Sequence, residues 1–440
     1  MSVATIAFYI CILYFFVGGV IHIVGTLYFA KQVRDYSQEY QNDVNSYAAK
    51  LYIVIPVYQE QKCVTESLNY FSQFISQGVY KGIYVTSARE REVSSVTTHE
   101  VIETYLHEHL DCSFQVIEAP AEYMGKSGQL NYALTYLNQT NCIGKYDYIG
   151  IYDVDSRPSL GTINLLHHLI NSFVQSKTNC PIVFQQVSLY CHNVNKFGLK
   201  NILNIDDAVL QSQWSIGFDY LLSKIYYKAT LNHKLTPIVY CVGHGCFISL
   251  PYLSKIGGIP TINKNDDLSL GYLLSASQET IFPLPYVDLC EIAPSVRESI
   301  KQYKNWAKGS FLFWHDIRTY IKMYNLSVSY IQKTCLWVEG ISRNFFWAYR
   351  GFMLLFITIY AIINPLQWVD ASIAISLYCF IPYILTCFYI NSYTKNEAEI
   401  TWLKIIIGTL CSPISVFLRS LGPFSAQFAQ RDANFKVNRI

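Results

Sequence analysis

Tyr148-Ile-Gly-Ile-Tyr-Asp153-Val-Asp155-Ser-Arg-Pro158 is a short apolar run that ends in two carboxylates one residue apart, followed by a turn. A run of this length bounded by turn residues reads as a buried strand. Alternate residues of an extended chain point to the same side, so Asp153 and Asp155 can face one ligand. Two hard oxygen donors with open positions suit Mg2+ or Mn2+ held against phosphates. Taken alone, the pair also fits a solvated turn in which an Asp caps the next helix.

Four further runs have the same character: Leu51-Tyr-Ile-Val-Ile-Pro56, Gly82-Ile-Tyr-Val-Thr86, Phe114-Gln-Val-Ile117 and Ile182-Val-Phe184. Between them, Val64 to Phe74, Thr97 to Leu110 and Gly128 to Leu137 read as helices. Strand–helix alternation predicts an α/β domain with a largely parallel sheet covered on both faces. Ligands of such sheets bind beyond the carboxyl ends of the strands, where Asp153 and Asp155 stand.

Both flanks are apolar. Val3 to Ala30 contains no Asp, Glu, Lys or Arg, enough to cross a hydrocarbon core that takes about 20 helical residues. It lacks the basic leader and small-residue cleavage site of a signal peptide. Lys31 and Arg34 follow at once, which places the next segment in the cytosol by the positive-inside rule. Phe345 to Ile363 and Val369 to Ile390 hold one charge each, Arg350 and Asp370, and read as two spans joined at Asn364-Pro-Leu-Gln-Trp368. Trp402 to Leu418 contains Lys404 and is expected to break at Cys411-Ser-Pro413, as a third span or a re-entrant segment. The expected layout is a membrane helix over 1–30, a cytosolic domain over 31–310, interfacial helices over 311–344, a membrane region over 345–422 and a basic tail over 423–440 carrying Arg431, Lys436 and Arg439.

Composition agrees. Of 440 residues, 51% are apolar and 15% charged, against roughly 25% charged in a soluble domain. A net charge of +2 supplies no basic face for nucleic acid. The 13 cysteines are odd in number and scattered, as expected of reduced thiols. Cys241, His244 and Cys246 are close enough to suggest zinc, but no second ligand pair follows. The sequons at Asn138 and Asn325 fall in the segment read as cytosolic, which leaves chance as their explanation.

Several blocks, in order, resemble the family 2 glycosyltransferases, in particular the membrane-integrated branch of cellulose, chitin and hyaluronan synthases. Val54-Ile-Pro-Val-Tyr-Gln-Glu60 looks like the first strand and nucleotide-binding turn, and Gly125-Lys-Ser-Gly-Gln-Leu-Asn131 is similar to the G-K-x-x-A-L-N block. Asp153-Val-Asp155 matches D-x-D. Val242-Gly-His-Gly-Cys-Phe247 resembles the glycine-rich acceptor turn, and Asn265-Asp-Asp-Leu-Ser-Leu-Gly-Tyr272 the E-D-x-x-L-G block. Glu291-Ile-Ala-Pro294 and Gln302-Tyr-Lys-Asn-Trp306 resemble the E-x-x-P and Q-x-x-R-W pair. Three positions depart from the pattern. After the second strand hydroxyls come first and an acid only at Glu90, Asp266 replaces Glu, and Asn305 stands where Arg is expected, leaving Lys304 or Lys308 to supply positive charge.

The resemblance implies a GT-A-like, Rossmann-type, mostly parallel sheet domain flanked by transmembrane helices. It further implies an inverting, metal-dependent transfer from a nucleotide-sugar donor to a growing polysaccharide or a lipid-linked acceptor. On that reading Asp267 is the general base with Asp266 in support, and Asp155 and Asp153 hold Mg2+ or Mn2+. Tyr58, Glu60, Lys126 and Asp153 bind the nucleotide sugar, and Gln302, Trp306 and His244 meet the acceptor. Bland readings stand beside these roles: a helix-capping charge for Asp267, a solvated side chain for Lys126 and an interfacial anchor for Trp306. Trp306 to Tyr324 is expected to lie against membrane lipids as an amphipathic helix. With so few spans, export of a polymer would call for a homo-oligomer, a re-entrant segment or a partner. A catalytically silent sugar-nucleotide-binding membrane protein is the alternative, and a transporter a weaker third, because the polar motifs lie outside the apolar spans.

Overall fold

A computed structural model describes residues 2–40, 47–75, 78–109, 114–140, 143–231, 236–263, 265–394 and 398–428. Arg431, Lys436 and Arg439 of the basic tail lie outside these residues. The first half of the chain forms α1 (Val3–Glu39), β1 (Leu51–Pro56), α2 (Val64–Ile75), β2 (Val79–Ser87), α3 (Thr98–Glu108), β3 (Phe114–Ala119), α4 (Gly125–Thr140), β4 (Tyr148–Ile151), β5 (Arg157–Pro158), α5 (Thr162–Gln175) and β6 (Val183–Leu189). The second half forms α6 (Ile202–Gln213), α7 (Tyr220–Leu231), β7 (Cys246–Ser249), α8 (Leu250–Ile256), α9 (Asp266–Ser277), β8 (Ile281–Leu289), α10 (Val296–Ser310), α11 (Phe313–Met323), α12 (Tyr330–Ile363), α13 (Trp368–Ile375), α14 (Ile381–Thr394) and α15 (Trp402–Ala426).

The strands form one sheet in the order β3-β2-β1-β4-β7-β6-β8-β5. The first four are parallel to one another, joined through helices. β7 then runs antiparallel between β4 and β6, β8 returns parallel to β6, and β5 pairs antiparallel at the edge. The α/β class and the five expected strands are therefore present, and the sheet is mixed rather than uniformly parallel. β1 shows the side-chain alternation that makes this work. Leu51, Ile53 and Ile55 enter the layer formed with α2, α3 and α5, whereas Tyr52 and Val54 enter the layer formed with α4, α8 and α9. Local signals start the crossover helices. Thr97 and Glu100 form a reciprocal capping box at α3, and Gly125, at φ 72°, takes the left-handed turn that opens α4.

Four helical stretches are long and apolar enough to cross a membrane: Val3–Glu39, Tyr330–Ile363, Pro365–Thr394 and Trp402–Ala426. Pro365–Gln367 makes the expected link between the second and third. α15 differs from expectation, because it passes through Pro413 unbroken. A helical proline strands the carbonyl four residues back, here that of Thr409, and Ser412 Oγ donates to that oxygen at 2.8 Å. The segment expected at the interface also differs. α12 is one rod from Tyr330 to Ile363, and Trp306 to Tyr324 is split between α10 and α11. Phe313, Ile317 and Tyr320 of α11 bury against Tyr272 and Leu273 of α9 and Leu336 of α12 rather than facing outward.

Sheet and apolar helices share a core. Phe8, Phe15 and Phe29 of α1 belong to the same cluster as Leu189 of β6, Val287 of β8, Ile205 of α6 and Tyr383 of α14. α1 makes its closest approach at Gly25, where a Cβ would lie 1.6 Å from the Gly217 carbonyl oxygen in the wide helical turn Trp214–Asp219. Only hydrogen fits between these backbones. Gly25→Leu is therefore expected to destabilise the detergent-solubilised protein by about 3 kcal/mol or more, read as an earlier thermal melt. Gly198→Ala, where nothing lies within 4 Å of the added carbon, is expected to leave the melt unchanged.

Candidate functional site

The parallel order β3-β2-β1-β4 means that the chain adds strands outward from β1 and then returns to its other side. The carboxyl ends of β1 and β4 flank that reversal, which is where open α/β sheets leave a crevice. Tyr58 and Glu60 follow β1, and Asp153 and Asp155 follow β4; all four are half-buried. The β4 turn is tightly held. Ser156 N–H donates to the Asp153 carbonyl at 3.1 Å, and Asp153 N–H to Ser156 Oγ at 3.2 Å. Buried Arg157 braces it from beneath, donating to the carbonyls of Val154 (3.1 Å) and Ser156 (2.9 Å) and to Glu66 (2.9 Å). Glu60 Oε2 accepts from Cys63 Sγ at 3.1 Å. Burial first, then the hydrogen bond and charge of Glu60 and the charge of Asp155, push the Cys63 thiol up to about 12.

The first turns of α4 tie this crevice to the rest of the sheet. Lys126 Nζ donates to Asp153 Oδ1 at 2.6 Å and also to the Gly243 carbonyl. Gln129 Nε2 donates to the Val57 and Val85 carbonyls, both at 2.7 Å, closing the ends of β1 and β2. Asn131 brackets Ile259, accepting from its N–H at 2.6 Å and donating to its carbonyl at 3.0 Å. Each polar side chain of the Lys126–Gln129–Asn131 set thus reaches a different loop of the crevice.

The second acid pair opens α9. Asp266 Oδ1 accepts the Asp267 N–H at 3.1 Å, and Asp267 Oδ1 the Leu268 N–H at 2.8 Å. One oxygen of Asp267 is thus engaged by the first turn of the helix, and the other points toward Gly243. A Cβ on Gly243 would lie 3.1 Å from Asp267 Oδ2 and 3.5 Å from Lys126 Nζ. Lys126, Gly243, Asp266 and Asp267 accordingly line one small recess together with Ile151 and Leu270. Asp153 stands at its edge through its ion pair with Lys126. Burial and then the neighbouring Asp266 carboxylate raise Asp267 to about 6, against the opposing pull of the Leu268 amide, Lys126 and His244. Burial raises Asp266 as well, opposed by Lys126.

Other expected residues fall elsewhere. His244 is buried, and its Nδ1 donates to Asp288 Oδ2 at 2.8 Å. Burial alone would lower its proton affinity, but the hydrogen bond and charge of Asp288 and the charge of Asp153 outweigh it, so the imidazole sits above its ordinary value. Cys241 and Cys246 are buried in the α4–α9 layer, whereas His244 meets Asp288 and Cys290, so the Cys241–His244–Cys246 set is not the group brought together. Neither Gln302 nor Trp306 lines the recess with Asp267. α10 reaches it by its backbone, because Asn265 Nδ2 donates to the Trp306 carbonyl at 3.0 Å, while the Trp306 ring lies edge-on to Tyr303 at 5.5 Å. Glu90 is buried, and its Oε1 accepts from the backbone N–H of Gln59 and Thr98, from Thr98 Oγ1 and from Gln61 Nε2. It pins the β1 turn to α3.

Sequence reasoning missed the residues that shape the glycine-rich turn. Gln185 Nε2 donates to the His244 and Gly245 carbonyls at 3.0 and 3.2 Å while its Oε1 accepts from Val242 N–H at 3.0 Å. Ser156 Oγ donates to Asp288 Oδ2 at 2.9 Å, linking the β4 turn to β8. The available signal was polar residues inside buried apolar strands: Gln185 in β6 and Asp288 in β8.

No family model and no curated protein matches this sequence. Among solved structures the chain is similar to a mannosyltransferase from Pyrobaculum calidifontis in complex with GDP-Man and Mn2+, at 15% identity and a TM-score of 0.44 over 90% of this chain and 98% of that one. It is similar to a mycobacterial protein at 11% identity and a TM-score of 0.33, over 62% of this chain and 75% of the other. A third likeness is to glucosyl-3-phosphoglycerate synthase from Mycobacterium tuberculosis in complex with Mn2+, uridine-diphosphate and phosphoglyceric acid, at 12% identity and a TM-score of 0.30 over 62% and 80%. Similarity at these scores assigns no chemistry to the residues above.

The raised proton affinity of Asp267 has a thermodynamic sign. Between the ordinary value of 3.8 and about 6 the folded chain holds a proton that the unfolded chain releases, so stability falls as pH rises through that window. Asp267→Asn is expected to stabilise the protein at neutral pH by about 1 kcal/mol, the linkage value being discounted for a half-exposed carboxylate. Near pH 4 no gain is expected. Paired thermal melts at the two pH values check the sign.

Proposed function

We propose that this chain is a membrane glycosyltransferase that moves a sugar, with inversion, from a nucleotide-sugar donor to a growing polysaccharide or a glycolipid acceptor. One observation carries the reading. Lys126 bridges Asp153 to Gly243 while the free oxygen of Asp267 abuts the same glycine, so the acids suited to the donor and the acid suited to the acceptor share one recess at the strand ends.

Asp155 and Asp153 fit a hard divalent cation by donor chemistry: two carboxylates, half-buried, at the open end of a strand. Bound there, Mg2+ or Mn2+ would neutralise charge on the departing diphosphate. The chain's own groups account for the rest. The acceptor hydroxyl oxygen forms a bond to the anomeric carbon from the face opposite the diphosphate, the bond from that carbon to phosphate oxygen breaks with its electron pair leaving on the diphosphate, and the hydroxyl proton passes to Asp267 Oδ2. A carboxylate raised to about 6 is ionised at neutral pH and holds a proton better than an ordinary Asp. Gly243 leaves room for substrate beside that oxygen, and Lys126 can turn from Asp153 to a phosphate. Tyr58 and Glu60 would border the nucleoside. Lys31 and Arg34, in the last turns of α1, favour a cytosolic recess, with acceptor supplied from the lipid side.

Asn305 in place of Arg favours a second reading, a silent nucleotide-sugar binder, since it removes a bidentate grip on phosphate. A panel of nucleotide sugars with Mn2+, scored for released nucleoside diphosphate, separates the two. The enzyme reading expects turnover with at least one donor and a fall of about 10²- to 10⁴-fold in kcat for Asp267→Asn, with Glu108→Gln as an exposed control. It also expects kcat/KM to climb as pH rises through about 6, because the base must lose its proton. Donor binding without turnover would favour the silent reading, and a fully active Asp267→Asn would remove the base.

A further inference from the structure

Beneath the β4 turn, three side chains with three different donor atoms converge: His244, Asp288 and Cys290. Their ligand atoms lie within 4.8 Å of one another, and all three residues are buried. The imidazole Nδ1 is 2.8 Å from Asp288 Oδ2 and 3.5 Å from Cys290 Sγ. Two chain segments suffice to build the cluster. His244 lies on the turn that Gln185 shapes, and Asp288 and Cys290 are alternate residues at the end of β8, where extended backbone points them to one side. Cys290 continues that strand, its N–H donating to the Leu189 carbonyl at 3.0 Å.

Hydrogen bonding leaves the cluster incomplete. Asp288 is 0% exposed, and its Oδ2 accepts from both His244 and Ser156. Its Oδ1 is buried with no hydrogen-bond partner among the described residues, although buried carboxylate oxygens are ordinarily satisfied. The unsatisfied oxygen, the imidazole and the thiol lie together in one buried place.

We propose that His244, Asp288 and Cys290 bind one transition-metal cation of the Zn2+ class, separate from any hard cation on Asp153 and Asp155. One nitrogen, one carboxylate oxygen and one sulfur form a donor set that borderline-soft ions accept, whereas Mg2+ and Mn2+ favour oxygen alone. Three protein ligands leave a fourth position for water. Binding takes the sulfur as thiolate and a free imidazole nitrogen, so the thiol proton, and the Nδ1 proton if that nitrogen ligates, pass to solvent. The ion would lock the glycine-rich turn to β8 and, through Ser156, to the β4 turn. The site does not rest on the transfer reading and would exist in a silent protein.

The test titrates the full-length, detergent-solubilised protein, first stripped with chelator, with Co2+ alone. The expected result is one equivalent bound, with a thiolate-to-cobalt charge-transfer band that stoichiometric Zn2+ bleaches and excess Mg2+ does not. Cys290→Ser, matched to the parent by thermal melt, is expected to lose the band and Asp288→Asn to weaken Co2+ binding at least tenfold, with Asp153→Asn and Cys180→Ser retaining both. If Cys290→Ser fails to fold, the parent's band and its Zn2+ competition decide. Absence of a charge-transfer band in folded parent protein, or its persistence in folded Cys290→Ser, overturns the site, and loss of the band in Asp153→Asn overturns its separateness.

Discussion

The Lys126 ammonium offsets the charge of the acids gathered in this crevice. Asp153, Asp155, Asp266 and Asp267 come from two distant parts of the chain, and like charges brought together in a partly buried recess repel strongly. Lys126 stands between the groups, bonded to Asp153 and to the carbonyl of Gly243, the residue whose Cα side faces Asp267. The same contact is geometric as well as electrostatic, because it joins the start of α4, the end of β4 and the glycine-rich turn. Gly243 permits it, since a Cβ there would lie a tight 3.1 Å from the Asp267 carboxylate.

The crevice rests on a platform that is itself part of the apolar helices. α6 carries two adjacent acids into that platform. Asp206 accepts from Tyr383 at 2.8 Å and from Ser415 at 2.9 Å, and Asp207 accepts from Tyr303 at 2.6 Å with Arg419 at 3.4 Å. Charged groups in such surroundings persist only when hydrogen-bonded or paired, so these contacts specify how α6 meets α10, α14 and α15. The sheet ends at β6 and β8 share the same apolar cluster. The strands that carry Gln185 and Asp288 are therefore packed directly against the apolar helices.

Much of this was legible in the amino-acid order because the signals are local. Apolar runs of strand length, the helical stretches between them and the charge-free stretch from Val3 to Ala30 each express a short-range rule of sterics or solvation, and those elements appear where the rules put them. The two acid pairs were equally visible, since a carboxylate after an apolar run marks the end of a strand or the start of a helix. Pro413 misled for the same reason. Its local rule is to break a helix, and the hydroxyl that compensates belongs to its neighbour Ser412.

What the order of residues could not contain is convergence. Lys126, Asp153, Gly243 and Asp267 are spread over more than a hundred positions, and the pairing of β4 with an antiparallel β7, entered from the turn that Gln185 holds, brings them to one recess. Tertiary packing likewise buried His244 against Asp288 and Cys290, and it set the apolar face of α11 on α9. Strand propensity, capping and hydropathy act over a few residues and so can be read in one dimension. Which buried polar group meets which depends on long-range pairing and on the need of each to find a partner away from water, and that is settled only when the sheet closes.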